Sequence, residues 1–156
     1  NAIEDRVVIH LVALSDREGV GALTDDLDAM NRVVESGRSG SRSVELRTLD
    51  SVVGEARPIM MKIDVEGHEP HVLAGASATL AAPSLQAIEI ETVDAGIEAL
   101  LAEAGFEERF YDPFARALTT APVEWPANNR LYIRDAAFVM ERIRSARRFP
   151  VAGIAV

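Results

Sequence analysis

The chain has 156 residues, enough for one domain with a buried core. Apolar residues make up 48 % and charged residues 26 %, which excludes a disordered tail, a collagen and a coiled coil. Asp and Glu outnumber Lys and Arg 25 to 16, for a formal charge of −9; a surface that acidic argues against nucleic acid or an anionic membrane as the partner. No apolar run approaches the ~18 residues of a membrane span. Cysteine is absent, which removes disulfides, thiolate metal sites and a cysteine nucleophile. No charged-then-apolar signal segment opens the chain, so a cytoplasmic setting is expected.

Val7 to Leu14 is an almost continuous apolar run, predicted as a strand buried on both faces, with His10 a core group inside it. A turn over residues 15–19 leads to a short strand at Gly21 to Thr24. Residues 25–43 are polar, with Gly37, Gly40 and four serines, and are expected to form a mobile loop. Val44 to Leu49 alternates like a half-exposed edge strand. Thr48 or Asp50 is placed to cap a short helix over Ser51 to Val53.

Ile59 to Ile63 is predicted as a second buried strand. Pro70 suits the first turn of the helix that follows, whose apolar face is Val72, Leu73, Ala76 and Leu80. Leu85 to Glu91 is a third strand. A helix capped by Asp94 and closed by Gly105 comes next. Phe106 to Tyr111 and Arg130 to Arg134 read as two final strands, separated by a segment with Pro113, Pro122 and Pro126. Residues 136–148 form a last helix, with four arginines near its C-terminal end, where cations are favoured. Strands alternating with helices imply βαβ units and an open, doubly wound α/β sheet.

In such sheets ligands bind beyond the carboxyl ends of the strands. Three predicted strands end at Ser15-Asp16, at Asp64-Val65-Glu66-Gly67-His68-Glu69 and at Glu89-Ile90-Glu91. Acidic groups thus gather at strand ends, where they suit a cation, a metal ion or a hydroxyl-rich substrate. Asp64 and Glu66 share a face if the strand persists; equally, Glu66 and Glu69 line a helix first turn that favours anions. His68 is either a general base or a helix cap. Asp16 binds a ligand or holds its own turn. Glu89 or Glu91 is functional or paired with an arginine. His71 lies on a helix surface with no role assigned. There is no G-x-G-x-x-G, P-loop or G-x-S-x-G pattern, and the histidines lack zinc-ligand spacing.

The run Lys62-Ile63-Asp64-Val65-Glu66-Gly67-His68-Glu69 is preceded by Val12-Ala13-Leu14-Ser15-Asp16 and Thr48-Leu49-Asp50-Ser51. It is followed by Val72-Leu73-Ala74-Gly75-Ala76, by Leu101 to Phe106 and by Asn129-Arg130-Leu131. Together, over roughly residues 1–135, these pieces resemble the FkbM family of S-adenosylmethionine-dependent methyltransferases. The resemblance implies a Rossmann-like methyltransferase sheet and transfer of a methyl group to oxygen, on a hydroxyl of a sugar or natural product. It places Ser15, Asp16 and Asp64 toward the cofactor. Asp64, Glu66 and His68 would line the reaction centre, and Glu69 and Glu91 would contact the substrate. A divalent metal is left open.

Family members carry a glycine-rich cofactor strand-turn-helix before this region, and the present residues begin after it. The expectation is therefore a single α/β domain over 1–156, the C-terminal portion of the fold. Its sheet would lack the first two strands and end in an antiparallel pair and a C-terminal helix. An incomplete sheet exposes an edge, so a homo-oligomer or the N-terminal half would complete it. Two other classes remain beside the methyltransferase: a non-catalytic interaction module, and a metal-dependent enzyme using Asp64, Glu66 and Glu91.

Overall fold

A computed structural model describes residues 4–25, 32–34, 39–123, 129–148, 150–151 and 154–155. They fall into two compact units, Asn1–Glu55 with Glu66–Ser77, and Ala56–Val65 with Ala78–Val156.

The first unit holds a four-stranded sheet in the order β1-β4-β2-β3, with β1 Ala13–Leu14, β2 Gly19–Thr24, β3 Val33–Val34 and β4 Ser41–Arg47. β1 runs parallel to β4, and β2 is antiparallel to both β4 and β3. Helices α1 (Leu49–Val53) and α2 (Glu69–Ala74) belong to this unit. Its apolar core includes Leu46, Leu49, Val72 and Leu73. Thr48 caps α1, its hydroxyl accepting from the Ser51 N–H at 3.2 Å.

Three expectations change here. The Val7 to Leu14 run forms strand only at its last two residues; Val7, Val8, Ile9 and Leu11 are 50 % to 89 % exposed, and His10 is exposed too. A strand buried on both faces needs a neighbour and covering layers, and among the described residues nothing pairs with 7–12. β4 lies between β1 and β2 rather than at an edge. Alternation reports which face is covered and says nothing about pairing. The expected loop over 25–43 contains β3 and the start of β4; residues 26–31 and 35–38 lie outside the described residues.

The single helix expected over 70–80 is broken into α2 and α3 (Ser77–Ala81). Gly75 explains the break. A Cβ there would sit 2.1 Å from the Ser15 carbonyl oxygen, so only glycine lets the two backbones approach. The Gly75 carbonyl is turned outward to accept from the Asp50 N–H at 3.0 Å.

The second unit holds a five-stranded sheet in the order β5-β6-β9-β7-β8. Its strands are β5 Met60–Ile63, β6 Ala87–Ile90, β7 Glu107–Asp112, β8 Ala117–Thr119 and β9 Arg130–Ile133. β5 and β6 are parallel; β6–β9, β7–β9 and β7–β8 are antiparallel. The register aligns Lys62, Glu89, Leu131 and Arg109 in one row across four strands. β5 is not the buried strand expected: Ile59 and Met60 are half exposed, because β5 is an edge strand with β6 its one neighbour. β8 was not anticipated in the proline-bearing segment. Asp112 builds the turn before it, its Oδ1 accepting from the Phe114 and Ala115 N–H groups at 2.8 and 2.9 Å.

Helix α4 (Ala95–Glu103) is capped by Asp94, whose Oδ1 accepts from the Ile97 N–H at 2.8 Å, and Gly105 follows it at φ +84°. Helix α5 (Ala136–Ser145) is capped by Asp135. Arg142 and Arg144 lie in its last turn; Arg147 and Arg148 lie beyond it. A short antiparallel pair, β10 (Pro150–Val151) and β11 (Ile154–Ala155), comes after α5. The described residues are thus mixed α/β, with two larger sheets and five α-helices among them.

One side chain joins several of these elements. The Arg134 guanidinium donates to the carbonyls of Ala82 (2.6 Å), Leu85 (2.8 Å), Ala104 (3.1 Å) and Leu80, and lies 4.3 Å over the Phe106 ring. Replacing Arg134 by Ala leaves these acceptors without their donor. Each unsatisfied acceptor costs ~1–3 kcal/mol, so the variant is expected to lose roughly 3 kcal/mol or more. Arg134→Lys should recover only part, since an ammonium lacks the planar fork. Denaturant midpoints of the three proteins check this; equal midpoints would show that these contacts do not hold the unit together.

Candidate functional site

The first unit gathers Ser15, Asp16, His68, Glu69 and His71. Ser15 ends β1 and is 1 % exposed. Its Oγ donates to Asp16 Oδ1 at 3.1 Å and lies 3.1 Å from His68 Nε2. With the serine proton spent on Asp16, His68 donates through Nε2 and keeps Nδ1 as an acceptor. Asp16 also accepts from Arg17 at 3.0 Å, and its Oδ2 meets His71 Nδ1 at 3.3 Å. The two imidazoles stack with centroids 4.4 Å apart.

The hydrogen bond from His71 is the main reason the Asp16 carboxyl is held below its ordinary range. His68 is also shifted down. Burial is the chief cause, and the charges of His71 and Arg17 add to it, while those of Asp16 and Glu69 oppose. His68 is therefore neutral at neutral pH. Glu69 is fully buried at the start of α2, and neither carboxylate oxygen has a hydrogen-bond partner among the described residues. Glu66 and Gly67 take the turn into α2 with φ of +52° and +90°. A left-handed glutamate costs about 1–3 kcal/mol, which marks this as a built turn.

The second unit gathers a different set. Lys62 Nζ lies 3.2 Å from Asp64 Oδ2 and 3.4 Å from Glu89 Oε1. Both partners hold its ammonium charged, Asp64 foremost. Asn129 Nδ2 donates to the same Glu89 Oε1 at 2.6 Å. Asp64 and Glu91 each offer a carboxylate oxygen within 4.8 Å of the other. Glu91 continues the strand pairing, its N–H donating to the Ile63 carbonyl at 3.3 Å. Beside these, Arg130 grips Glu108 with two donors at 2.6 and 3.0 Å and reaches Glu98 at 2.7 Å. That clamp holds the Glu108 carboxyl below its usual range. Burial pushes the Tyr132 phenol up, and its hydroxyl has no partner among the described residues.

The expected site residues thus divide: Ser15, Asp16, Glu66, His68 and Glu69 lie in the first unit, Asp64 and Glu91 in the second. Glu89 is paired, as expected of one of the two strand glutamates, but with Lys62 and Asn129 rather than an arginine. His71, given no role from the sequence, is the partner of both Asp16 and His68. In the sequence Asn129 carries no signal beyond the Asn129-Arg130-Leu131 motif. Its pairing depends on β9 lying beside β6, a contact 40 residues apart that local pattern does not reveal.

A family model for the methyltransferase FkbM domain matches residues 1–108. The chain belongs to the FkbM methyltransferase family. The match takes in Ser15, Asp16, the whole Lys62–Glu69 run and Glu91, while Asn129 and Arg130 lie beyond it. Neither a curated protein nor a solved structure matches the chain. No helix among the described residues is long and apolar enough to cross a membrane.

The lowered His68 pKa ties stability to pH. The unfolded chain takes up this proton near pH 6.5, and the folded protein only at lower pH. The unfolded state binds more protons in that interval, so stability falls as pH drops below about 6.5. His68→Gln removes this group. Urea midpoints at pH 7 and pH 5 should fall further for the parent than for the variant; equal falls would assign the dependence to other groups.

Proposed function

We propose that this chain works in an S-adenosylmethionine-dependent O-methyltransferase acting on a hydroxyl of a sugar or natural product. The family match over residues 1–108 carries the reading. The end of β1 fits the cofactor: the Asp16 side chain is 34 % exposed, and a carboxylate suits both ribose hydroxyls and a sulfonium cation. S-adenosylmethionine, when bound, supplies a methyl group activated by positively charged sulfur.

The chain's own residues supply position and proton transfer. Ser15 and Asp16 hold the cofactor side, with His71 and Arg17 fixing the Asp16 carboxylate. Asp64 accepts the proton of the substrate hydroxyl. Lys62 occupies Asp64 Oδ2, which orients the carboxylate and leaves Oδ1 for that proton. Neutral His68, with Nδ1 an acceptor, and Glu66 are the proton-accepting groups that the first unit offers. Glu91 binds donor groups of the substrate. Glu69 has no exposed surface, so it does not contact the substrate.

A second reading is favoured by one observation. Val7, Val8, Ile9 and Leu11 present apolar side chains to solvent, as an interaction module would. Binding of the methyl donor separates the two. Calorimetric titration of S-adenosylmethionine into the gene product carrying this chain should give saturable binding, displaced by S-adenosylhomocysteine. Asp16→Asn should weaken it about tenfold, the worth of one charge-assisted hydrogen bond. Asp64→Asn should slow methyl transfer about 10²-fold or more, the range of general-base contributions. No heat with the donor would overturn the methyltransferase reading in favour of the interaction module.

A further inference from the structure

The second unit carries a cavity of about 460 Å³, a size that suits a small organic molecule. Four neighbouring strands contribute to it, through Met60 of β5, Glu89 of β6, Leu131 of β9 and Phe110 of β7. Pro113 and Pro122, from the segment between β7 and β9, add apolar wall. The polar groups around this lining are not equivalent. Arg130 and Glu108 neutralise each other in a two-donor clamp, and Arg109 is paired with Glu107. Glu89 differs. Its two partners, Lys62 and Asn129, both engage Oε1, which fixes the carboxylate and leaves Oε2 to take a donor from a ligand.

We infer that this cavity is a binding site for a molecule with an apolar body and one hydroxyl, the hydroxyl donating to Glu89 Oε2. The apolar walls remove that body from water. Glu89 then supplies directional selection, because a ligand lacking the hydroxyl leaves a half-buried carboxylate without its donor. Lys62, which is not part of the lining, is a positioning residue that holds Glu89; Asn129 holds Glu89 as well and also lines the cavity. That the cavity is a site rests on its own geometry and is independent of the proton acceptor proposed at Asp64.

The probes are 2-naphthol and 2-methoxynaphthalene, which differ only in the hydroxyl proton and one methyl group. Binding is read by fluorescence titration with no methyl donor present. The protein should bind 2-naphthol at least tenfold more tightly than the ether. Glu89→Gln keeps the size and the Asn129 contact; it should erase this preference while leaving affinity for the ether unchanged. Leu131→Phe, which fills the cavity, should weaken both probes at least tenfold. Absence of binding overturns the inference. So does a Leu131→Phe variant that binds both probes like the parent, or a Glu89→Gln variant that keeps the preference.

Discussion

The second unit is closed by a single guanidinium. Helices end in carbonyls with no partner of their own, and water normally satisfies them. Here α3 ends at Ala81 and α4 at Glu103, and both tails are turned toward Arg134. Its main-chain N–H also donates to the Gln86 carbonyl at 2.9 Å, which fixes the residue at the end of β9. A cation among helix C-terminal carbonyls meets the negative end of each helix dipole. The planar fork reaches several acceptors at once, and the face of the fork rests on Phe106. β9 itself is held between β6 and β7 by antiparallel pairing, and Arg134 ties its end to the helix tails.

The first unit depends on closeness of another kind. The Gly75 backbone passes the Ser15 carbonyl too closely for any side chain, and that pins the end of α2 to the end of β1. His68, at the opposite end of the same short helix, is brought to the Ser15 hydroxyl. The hydrogen-bonded chain from His68 through Ser15 to Asp16 and on to His71 is therefore a consequence of packing. Each of its members sits on an element held by that contact or adjoins one.

Sequence pattern reached the parts of the fold that local chemistry decides. Thr48 and Asp94 were legible as caps, because a short polar side chain before an apolar helical repeat has few other uses. β6, β7 and β9 were found within a residue or two. The failures share a cause. Val7 to Leu11 and Met60 look buried by composition, yet burial is decided by neighbours that composition does not name. The helix break at Gly75 depends on Ser15, sixty residues earlier. For the site, strand-end carboxylates were findable from the rule that ligands meet carboxyl ends of strands. Asp64 has its lysine two residues away, but the pairings of Glu89 with Lys62 and Asn129 and of Asp16 with His71 join distant parts of the chain and were not findable.

Lys62 is the one lysine among sixteen basic residues, the rest being arginine. Arginine stays protonated at any accessible pH and resists acylation, so side-chain amine chemistry has a single address here. That address stands between Asp64 and Glu89. Acetylation or any other neutralising acyl group would leave two nearby carboxylates facing each other without their shared cation. One covalent event on one nitrogen would thus recast the charge of the whole sheet edge. The same singularity makes the edge addressable by a reporter dye without engineering the sequence.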